Sequence, residues 1–343
     1  MKILMVLSSD RFSGAENVVC QIISMFKNES EYEFVYCSPD GEIRKALEER
    51  SIAFAPISDI TVNELKRVIK EQKPDVVHAH DMRASFVASC ACGKTKLISH
   101  IHNNAFDSRG LTVKSVAYLK AGFKADHIFW VSESSYNGYY FHKWFKKKSE
   151  VLYNIIDVDA LYEKMERDTE EYDYDVVYLG RLTYPKNPQR LIGILENAVK
   201  IKPDLKIAII GKGDLEEETV NLVKEKGLSS NITFKGFMSN PLKALHSARV
   251  MVMSSRWEGT PMCALEAMAL GVPIVSTPVD GLKDLVVNDE TGYLFDDDMA
   301  LAESIVKIVE DKALSDKLSQ NALAKARKFN DINVYKEALK KQY

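Results

Sequence analysis

Asp175-Val176-Val177-Tyr178-Leu179-Gly180, in the middle of the chain, is a short apolar run that ends in a glycine. Such a run predicts a β-strand that is covered on both faces, as strands of parallel sheets are. Helical patterns alternate with further short runs after it, and this alternation predicts a doubly wound α/β domain. The strands predicted after residue 180 are Lys206–Ile210, Asn231–Phe234, Arg249–Ser254, Pro273–Thr277 and Gly292–Phe295.

The first half of the chain has the same alternation, which predicts a second parallel sheet. Its predicted strands are Lys2–Leu7, Phe34–Ser38, Ala53–Ile57, Asp75–His80, Lys96–His102, His127–Ser132 and Val151–Asn154. Helical periodicity lies between them, for example at Ala15–Phe26, Gly41–Arg50, Thr61–Glu71 and Leu111–Lys124.

A charged stretch at Tyr162–Tyr174 separates the two halves and is typical of an interdomain linker. We therefore predict two Rossmann-like domains, at residues 1–165 and 166–329, that face each other across a cleft. Residues 330–343 are predicted to form a helix that packs back toward the N-terminal domain. Ligands of such sheets bind beyond the carboxyl ends of the strands.

The composition is that of an ordinary globular protein. Of 343 residues, 46% are hydrophobic and 28% are charged, and the net charge of −3 gives no general attraction to nucleic acid. No apolar run approaches the roughly 18–20 residues that span a bilayer, and Ile3–Leu7 is too short for a signal peptide. The five cysteines form no Cys-x-x-Cys pair, which favours buried thiols in a reducing cytoplasm.

Two carboxylates lie eight residues apart at Glu258 and Glu266. Pro261 suits the first turn of a helix, so Glu258 is predicted on the preceding loop and Glu266 inside the helix. The free N–H groups of a helix start attract an anion, with one carboxylate on either side of it. Alternatively, Glu258 only complements the helix dipole and Glu266 is exposed.

Arg181 and Lys186 follow the strand that ends at Gly180. A guanidinium fork and an ammonium group both bind phosphate oxygens, and fixed cations stabilise a departing diphosphate. A pair of solvated surface cations is the alternative. Gly14, after the first strand, and Gly211, after the strand ending at Ile210, could let backbone approach a nucleotide. A plain loop glycine is the favoured interpretation of Gly14 alone, and a turn without a ligand explains Gly211 equally well.

His100 and His102 share one face of a predicted strand, with His102 at its mouth. His102 could bind a sugar hydroxyl or assist an acceptor. A metal pair is conceivable, but no third ligand is obvious, and all strand histidines, including His78 and His80, could be structural. Asp296–Asp298 is better explained by capping of the next helix than by a metal site.

The segment 91–148 is basic, with Lys and Arg exceeding Asp and Glu by seven. Aromatic residues are interleaved with lysines in Tyr139–Lys146. Such a patch can dock on anionic lipid, or it can be a solvated face over a core helix.

Taken together, these motifs resemble the glycosyltransferases of family 4, which have the GT-B fold. The combination of Gly180-Arg181 and Lys186-Asn187 with Glu258 and Glu266 carries the resemblance. Further matching stretches are Ser13–Glu16, Val76–His80, His102-Asn103, Val131–Glu133, Tyr153–Asp157, Gly271–Val275 and Thr291–Leu294. Two departures are Asn154-Ile155-Ile156-Asp157, where the family often has Asn-Gly-x-Asp, and Ser13-Gly14 in place of Gly-Gly.

The resemblance implies a retaining transferase whose co-substrate is a nucleotide-diphospho-sugar, with no cofactor and no metal. It implies an acceptor-binding N-terminal domain and a donor-binding C-terminal domain. Glu266 would hold the ribose hydroxyls, Glu258 the donor sugar, and Gly14 would back the diphosphate. The catalytic residues would be Glu258, His102, Arg181 and Lys186. The donor-binding residues would be Gly14, Arg181, Lys186, Gly211, Glu258, Gly259, Thr260, Pro261, Met262, Cys263, Ala264 and Glu266.

The expected function is transfer from a UDP-sugar, the default donor, to a glycan in bacterial-type surface or capsular polysaccharide assembly. A lipid-linked acceptor would explain the basic segment and would place the enzyme in the cytoplasm at the inner face of the membrane. The alternatives are a nucleotide-sugar epimerase of the same fold and a nucleotide-sugar-binding module without turnover. A nicotinamide dehydrogenase is least favoured, because no Gly-x-Gly-x-x-Gly follows a strand with an acidic partner beyond it.

Overall fold

The computed structural model describes residues 1–102 and 108–343 and divides into two units. The first comprises Met1–Ile155 together with Ile332–Tyr343, and the second comprises Ile156–Asp331. The sequence placed the boundary ten residues later, inside a charged linker. Part of that stretch is instead helical, because Leu161 is buried and the Tyr162 hydroxyl donates to the carbonyl of Ala269 at 3.1 Å.

The first unit contains a six-stranded parallel sheet in the order β2-β1-β3-β4-β5-β6. The strands are β1 (Lys2–Val6), β2 (Glu33–Cys37), β3 (Val76–His80), β4 (Lys96–Ile101), β5 (His127–Trp130) and β6 (Ser149–Val151). The helices are α1 (Gly14–Met25), α2 (Ile43–Glu48), α3 (Val62–Gln72), α4 (Asp81–Ala91), α5 (Val113–Lys124) and α6 (Glu133–Gly138), with a 3-10 helix at His142–Lys148.

One predicted strand of this unit is wrong. Ala53–Ile57 makes only isolated bridges, from Phe54 to Tyr36 and from Ile57 to Pro39. Pro56 has no N–H to donate, so a continuous ladder cannot form there. The edge strand β6 ends at Val151, where the sequence predicted it to begin.

The second unit contains another six-stranded parallel sheet, in the order β12-β11-β10-β7-β8-β9. Its strands are β7 (Val176–Leu179), β8 (Ile207–Ile210), β9 (Ile232–Gly236), β10 (Val250–Met253), β11 (Ile274–Ser276) and β12 (Gly292–Leu294), in agreement with the predicted runs. Its helices are α7 (Val158–Glu166), α8 (Pro188–Ile201), α9 (Glu216–Glu225), α10 (Leu242–Ser247), α11 (Met262–Ala269), α12 (Leu282–Leu285), α13 (Asp298–Glu310) and α14 (Lys312–Phe329), with a 3-10 helix at Tyr184–Lys186.

The strand order of the second sheet reverses at β7, which lies between β8 and β10. At such a reversal, the loops that follow the two neighbouring strands run in opposite directions. A crevice therefore forms beyond the carboxyl ends of the strands. The loop after β7 carries Arg181 and Lys186, and the loop after β10 carries Glu258. The topology therefore brings the two predicted motifs to one place.

The last helix of the chain, α15 (Ile332–Lys340), belongs to the first unit. Lys340 pairs with Glu29 at 2.9 Å, and Lys336 also pairs with Glu29. Tyr343 packs against Phe26 and other aromatic rings beneath the sheet. In the described parts of the chain, no helix combines the length and the hydropathy that crossing a bilayer requires.

Candidate functional site

The loops after β7 and β10 are joined by a short ion pair. Lys186 Nζ lies 2.5 Å from Glu258 Oε1, and the two side chains are only 18% and 9% exposed. Asn187 adopts a left-handed conformation (φ 54°) that ends the 3-10 helix and starts α8 at Pro188. Ser254 Oγ donates to the carbonyls of Lys186 and Asn187, at 3.0 and 3.1 Å, so the lysine loop is tied to the end of β10.

Polar neighbours hold the Glu258 carboxylate in place. Ser255 Oγ donates to Glu258 Oε1 at 2.5 Å, and the backbone N–H of Glu258 donates to Asp280 Oδ2 at 2.8 Å. Burial opposes the charge on Lys186, but the nearby Glu258 carboxylate outweighs it and raises the pKa of the lysine. The pair is thus a fixed element in a poorly solvated place, where electrostatic interactions are strong.

Arg181 differs from Lys186 in having no partner. Its side chain is exposed and makes no hydrogen bond or ion pair with any residue in the described parts of the chain. It lies close enough to Lys186 to oppose the rise of the lysine pKa. The Tyr178 hydroxyl donates to the carbonyl of Arg181 at 3.0 Å and fixes the backbone there. A guanidinium that is fixed at its base and free at its tip is available to an anion.

The prediction for Pro261 is wrong in one respect. Pro261 has extended backbone angles (φ −72°, ψ 122°) and is the N-cap of α11, which begins at Met262. No side chain caps this end of the helix. The neighbouring Thr260 and Ala264 are buried, at 3% and 0% exposure.

Glu266 lies in α11, half-buried, and makes no hydrogen bond or ion pair among residues 1–102 and 108–343. Burial raises its pKa to about 7, with Lys164 of α7 acting in the opposite direction. Burial likewise raises the pKa of the Cys263 thiol to about 12, so this cysteine is a neutral neighbour. Glu266 is therefore a carboxyl group whose charge changes near neutral pH.

Two glycines near the site allow a close approach of backbone segments. A Cβ on Gly211, which has φ +133°, would lie 2.0 Å from the carbonyl oxygen of Gly180. A Cβ on Gly281 would lie equally close, at 2.0 Å, to the carbonyl oxygen of Gly259. Gly211 therefore keeps the loops after β7 and β8 in contact, whatever else it does. Gly14 is different, since a Cβ there would meet nothing within 4 Å.

His102 lies in the first unit with its ring hydrogen-bonded to a second histidine. Its Nε2 is 2.8 Å from His80 Nδ1, and its backbone N–H donates to Asp81 Oδ1 at 3.0 Å. Burial lowers the pKa of His102 to about 3, so the ring is neutral at physiological pH. Asn103, the other half of the predicted motif, lies outside the described residues.

The sequence did not reveal a third candidate metal ligand near His100 and His102. The structure provides two, His78 and His80, on the neighbouring strand. The β3–β4 register sets His80 opposite His100, and His78 is stacked on His80. The sequence does contain a hint, because His-x-His occurs at the ends of two predicted strands. The two pairs of histidines can be assigned to one cluster only when β3 and β4 are known to be neighbours. The capping prediction for Asp296–Asp298 is confirmed, since Asp297 Oδ1 accepts from the N–H of Ala300 at 2.8 Å.

Comparison with known proteins identifies the family of this chain. The family model "Glycosyltransferase Family 4" matches residues 12–160, and the model "Glycosyl transferases group 1" matches residues 163–325. The chain belongs to these family-4-type glycosyltransferases, and its two parallel α/β units are those of the GT-B fold. The predicted family, fold class and enzyme class are confirmed, and the epimerase alternative is not favoured.

Three individual proteins illustrate the likeness. An uncharacterized glycosyltransferase of Methanocaldococcus jannaschii is 27% identical over 324 residues, 79% of this chain and 80% of the relative. The Escherichia coli UDP-Gal:alpha-D-GlcNAc-diphosphoundecaprenol alpha-1,3-galactosyltransferase is 24% identical, covering 92% of this chain and 89% of its own length. The crystal structure of Anabaena HepE in complex with UDP and glucose has a TM-score of 0.87 at 20% identity, covering 99% of this chain and 98% of that one; this likeness concerns the fold.

Proposed function

We propose that this protein transfers a sugar from a UDP-sugar to a glycan acceptor with retention of configuration. The observation that carries the proposal is the Lys186–Glu258 pair beside the unpartnered Arg181, at the point where the strand order of the second sheet reverses. Two cations of this kind fit the two phosphates of a nucleotide-diphospho-sugar. The preference for uridine is supported by the E. coli relative named for UDP-Gal and by the UDP bound to HepE.

The proposed chemistry follows from where negative charge grows. As the bond from the sugar anomeric carbon to the diphosphate oxygen breaks, Arg181 and Lys186 stabilise the charge that develops on the leaving group. The acceptor hydroxyl attacks the same face, forms the new glycosidic bond and gives its proton to a leaving phosphate oxygen. Glu258, held by Ser255 and Lys186, accepts hydrogen bonds from donor-sugar hydroxyls. No metal is needed at the diphosphate, because fixed cations occupy its place.

The acceptor is proposed to be a growing surface glycan on a lipid carrier. The E. coli relative is named for a diphosphoundecaprenol-linked acceptor. His102 and Gly14, in the first unit, are proposed to serve the acceptor and the donor phosphates, respectively. This assignment places the enzyme at the cytoplasmic face of a membrane.

Incubation with a panel of nucleotide sugars and short lipid-linked glycans tests the function directly. We expect an elongated glycan with the anomeric configuration of the donor, as read by NMR of the product. Formation of an inverted product would contradict retention, and free epimerised sugar without elongation would contradict transfer.

Glu266 makes donor binding depend on pH. The ionised carboxylate accepts from ribose hydroxyls, so UDP affinity should rise as pH increases through about 7. Between pH 6 and pH 8 we expect about a tenfold lower Kd, because the ionised fraction rises about tenfold. Isothermal titration of UDP measures this change, and Glu266→Gln should bind UDP weakly with no such dependence.

The same group also affects stability, with a definite sign. The folded-state pKa of about 7 lies above the reference value of 4.5, so the contribution of Glu266 to stability is fully present below pH 4.5 and is lost as pH rises through 7. Glu266→Gln should therefore raise the melting temperature of the ligand-free protein at pH 8 but not at pH 4.5. The corresponding gain in the free energy of unfolding has an upper limit of about 3 kcal/mol. A pH-independent effect of the substitution would contradict the assignment.

The basic segment provides a surface suited to anionic lipid. Three apolar side chains are largely exposed on this segment: Val113 (90%) and Phe123 (62%) on α5, and Trp144 (63%) on the 3-10 helix His142–Lys148. The ring centroids of Phe123 and Trp144 lie 6.2 Å apart. Exposed lysines surround them at Lys120, Lys143, Lys146 and Lys147. Exposed aromatic side chains among cations bind the headgroup region, with attraction that weakens as salt rises.

We expect the wild-type protein to float with vesicles that contain phosphatidylglycerol at low salt and to be released at high salt. The double variant Phe123→Glu, Trp144→Glu should lower the bound fraction at least about fivefold. Phe237→Glu, at an aromatic residue that is 68% exposed in the second unit, is the matched control and should bind as wild type does. Equal flotation of the double variant and the wild type would contradict the assignment of this surface.

A further inference from the structure

Four histidines of the first unit form a block of rings on one face of its sheet. His78 and His80 lie on β3, His100 lies on β4, and His102 directly follows β4. Residues two apart on a strand share a face, and the register places His80 beside His100. Neighbouring ring centroids are separated by 4.4 to 5.4 Å.

The ring nitrogens of this block are buried and largely unpartnered. His78 and His100 are 0% exposed and His80 is 2% exposed. The Nε2 atoms of His78 and His80 and both ring nitrogens of His100 have no hydrogen-bond partner among the residues the structure describes. Each buried polar group in that condition destabilises the fold by about 1–3 kcal/mol. A bound ligand that engages these nitrogens would remove the penalty.

Two hydrogen bonds direct lone pairs toward such a ligand. His78 Nδ1 lies 3.0 Å from the Tyr343 hydroxyl, and His80 Nδ1 lies 2.8 Å from His102 Nε2. With Nδ1–H donating in both, the Nε2 of each ring carries a free lone pair. A hydrogen bond from the second ring nitrogen is also what orients metal-binding histidines. Burial lowers the pKa of His78 to about 3 and the pKa of His80 and His100 in the same direction, so all three are neutral.

We propose that His78, His80 and His100 bind a single transition-metal ion of the Zn²⁺ class. Their candidate ligand atoms all lie within 4.8 Å of one another. Nitrogens bound to tetrahedral Zn²⁺ are about 3.4 Å apart, so the set closes by side-chain shifts of about an ångström. The lone pair of a ring nitrogen lies in the ring plane, and the three planes are 9° to 32° apart, so the rings must turn as well as shift to converge on one ion. His100, whose ring has no hydrogen bond to any described residue, is the freest of the three to turn.

Ligand chemistry and surroundings both select this class of ion. Imidazole suits Zn²⁺, Cu²⁺ and Ni²⁺, whereas Mg²⁺ and Ca²⁺ prefer oxygen ligands. His80 also lines a cavity of about 150 Å³ together with Glu16 and Asp81. A cavity of this size has room for a water molecule beside His80. All three proposed ligands belong to the first unit, and their metal binding does not rest on the proposed sugar transfer.

Titration of Zn²⁺ and Co²⁺ into chelator-treated protein tests the proposal. We expect one equivalent of Zn²⁺ by isothermal titration, a raised melting temperature, and the visible absorption of tetrahedral Co²⁺. His100→Phe keeps a ring in the stack and should weaken Zn²⁺ binding by more than about 100-fold. His127→Asn is the matched control, because His127 is a buried histidine of the same sheet that pairs with Glu150 outside the block; its affinity should stay near that of wild type.

Absence of saturable Zn²⁺ binding to the wild type would overturn the proposal, as would unchanged affinity in His100→Phe or an equal loss in His127→Asn. If His100→Phe does not fold, X-ray absorption of the Zn²⁺-loaded wild type decides instead. Three imidazole ligands are then expected, and a shell dominated by oxygen or sulfur would exclude the site.

Discussion

Arg181→Ala will lower kcat/KM for sugar transfer by about 100- to 1000-fold, the range seen when one fixed donor to a developing anion is removed. The melting temperature of the ligand-free protein should not change, because the side chain is exposed and has no partner in the described parts of the chain. The same substitution should abolish the thermal shift that UDP produces in the wild type.

Lys212→Ala is the matched control for this experiment. Lys212 is an exposed cation on the adjacent loop after β8, so its removal changes the net charge equally. We expect less than about a threefold effect on kcat/KM, because a solvated cation is screened. A similar loss in both variants would mean that Arg181 acts only through the general field, and full activity of Arg181→Ala would remove it from the donor site.

Lys186→Met will destabilise the ligand-free protein by roughly 2–4 kcal/mol, because it leaves the Glu258 carboxylate poorly solvated without its cation. Glu258 is 9% exposed, and among the described residues Ser255 then remains as the hydrogen-bond donor to its carboxylate. Urea unfolding at pH 7.5 measures the loss. Sugar transfer should also fall at least about 100-fold, because the cation that faces the leaving group is gone.

The double variant Lys186→Met, Glu258→Met separates these two effects. Replacing both members of a buried pair with apolar residues is often nearly neutral, so stability should return to within about 1 kcal/mol of wild type while activity stays low. Lys200→Met is the comparison at an exposed pair, since Lys200 is 64% exposed beside Glu196; its effect should be under about 1 kcal/mol. Additive losses at Lys186 and Glu258 would show that the two groups are not coupled.

Much of the fold could be predicted because strands of parallel sheets are short, apolar and bounded by polar helices. The run at residues 175–180 consists of β7 and one further residue at each end. The alternation of strands and helices that begins again there marks the start of the second sheet. Ala53–Ile57 has the same apolar character but forms no strand, since backbone donors as well as side chains decide pairing. The boundary between units was missed because charge alone does not distinguish a linker from a helix with one buried face, such as α7.

The site was predicted as a set of residues but not as a set of contacts. Lys186 and Glu258 are separated by 72 positions, and only the adjacency of β7 and β10 makes them an ion pair. The sequence assigned Arg181 and Lys186 to the same diphosphate, yet Lys186 is paired with Glu258 while Arg181 has no partner among the residues that the structure describes. The cluster of four histidines was not predicted for the same reason. Its members lie on or next to two strands, and no local sequence pattern encodes the register between those strands.

The discontinuous first unit has a consequence for biosynthesis. Residues 156–331 form one unbroken unit, whereas Met1–Ile155 is completed only by Ile332–Tyr343. On the ribosome, the middle of the polypeptide can therefore reach its native state while the segment made first still lacks Tyr343 over Phe26 and Phe34. Chaperone binding during translation should accordingly concentrate on the nascent segment Met1–Ile155 and decline once Ile332–Tyr343 has been synthesised.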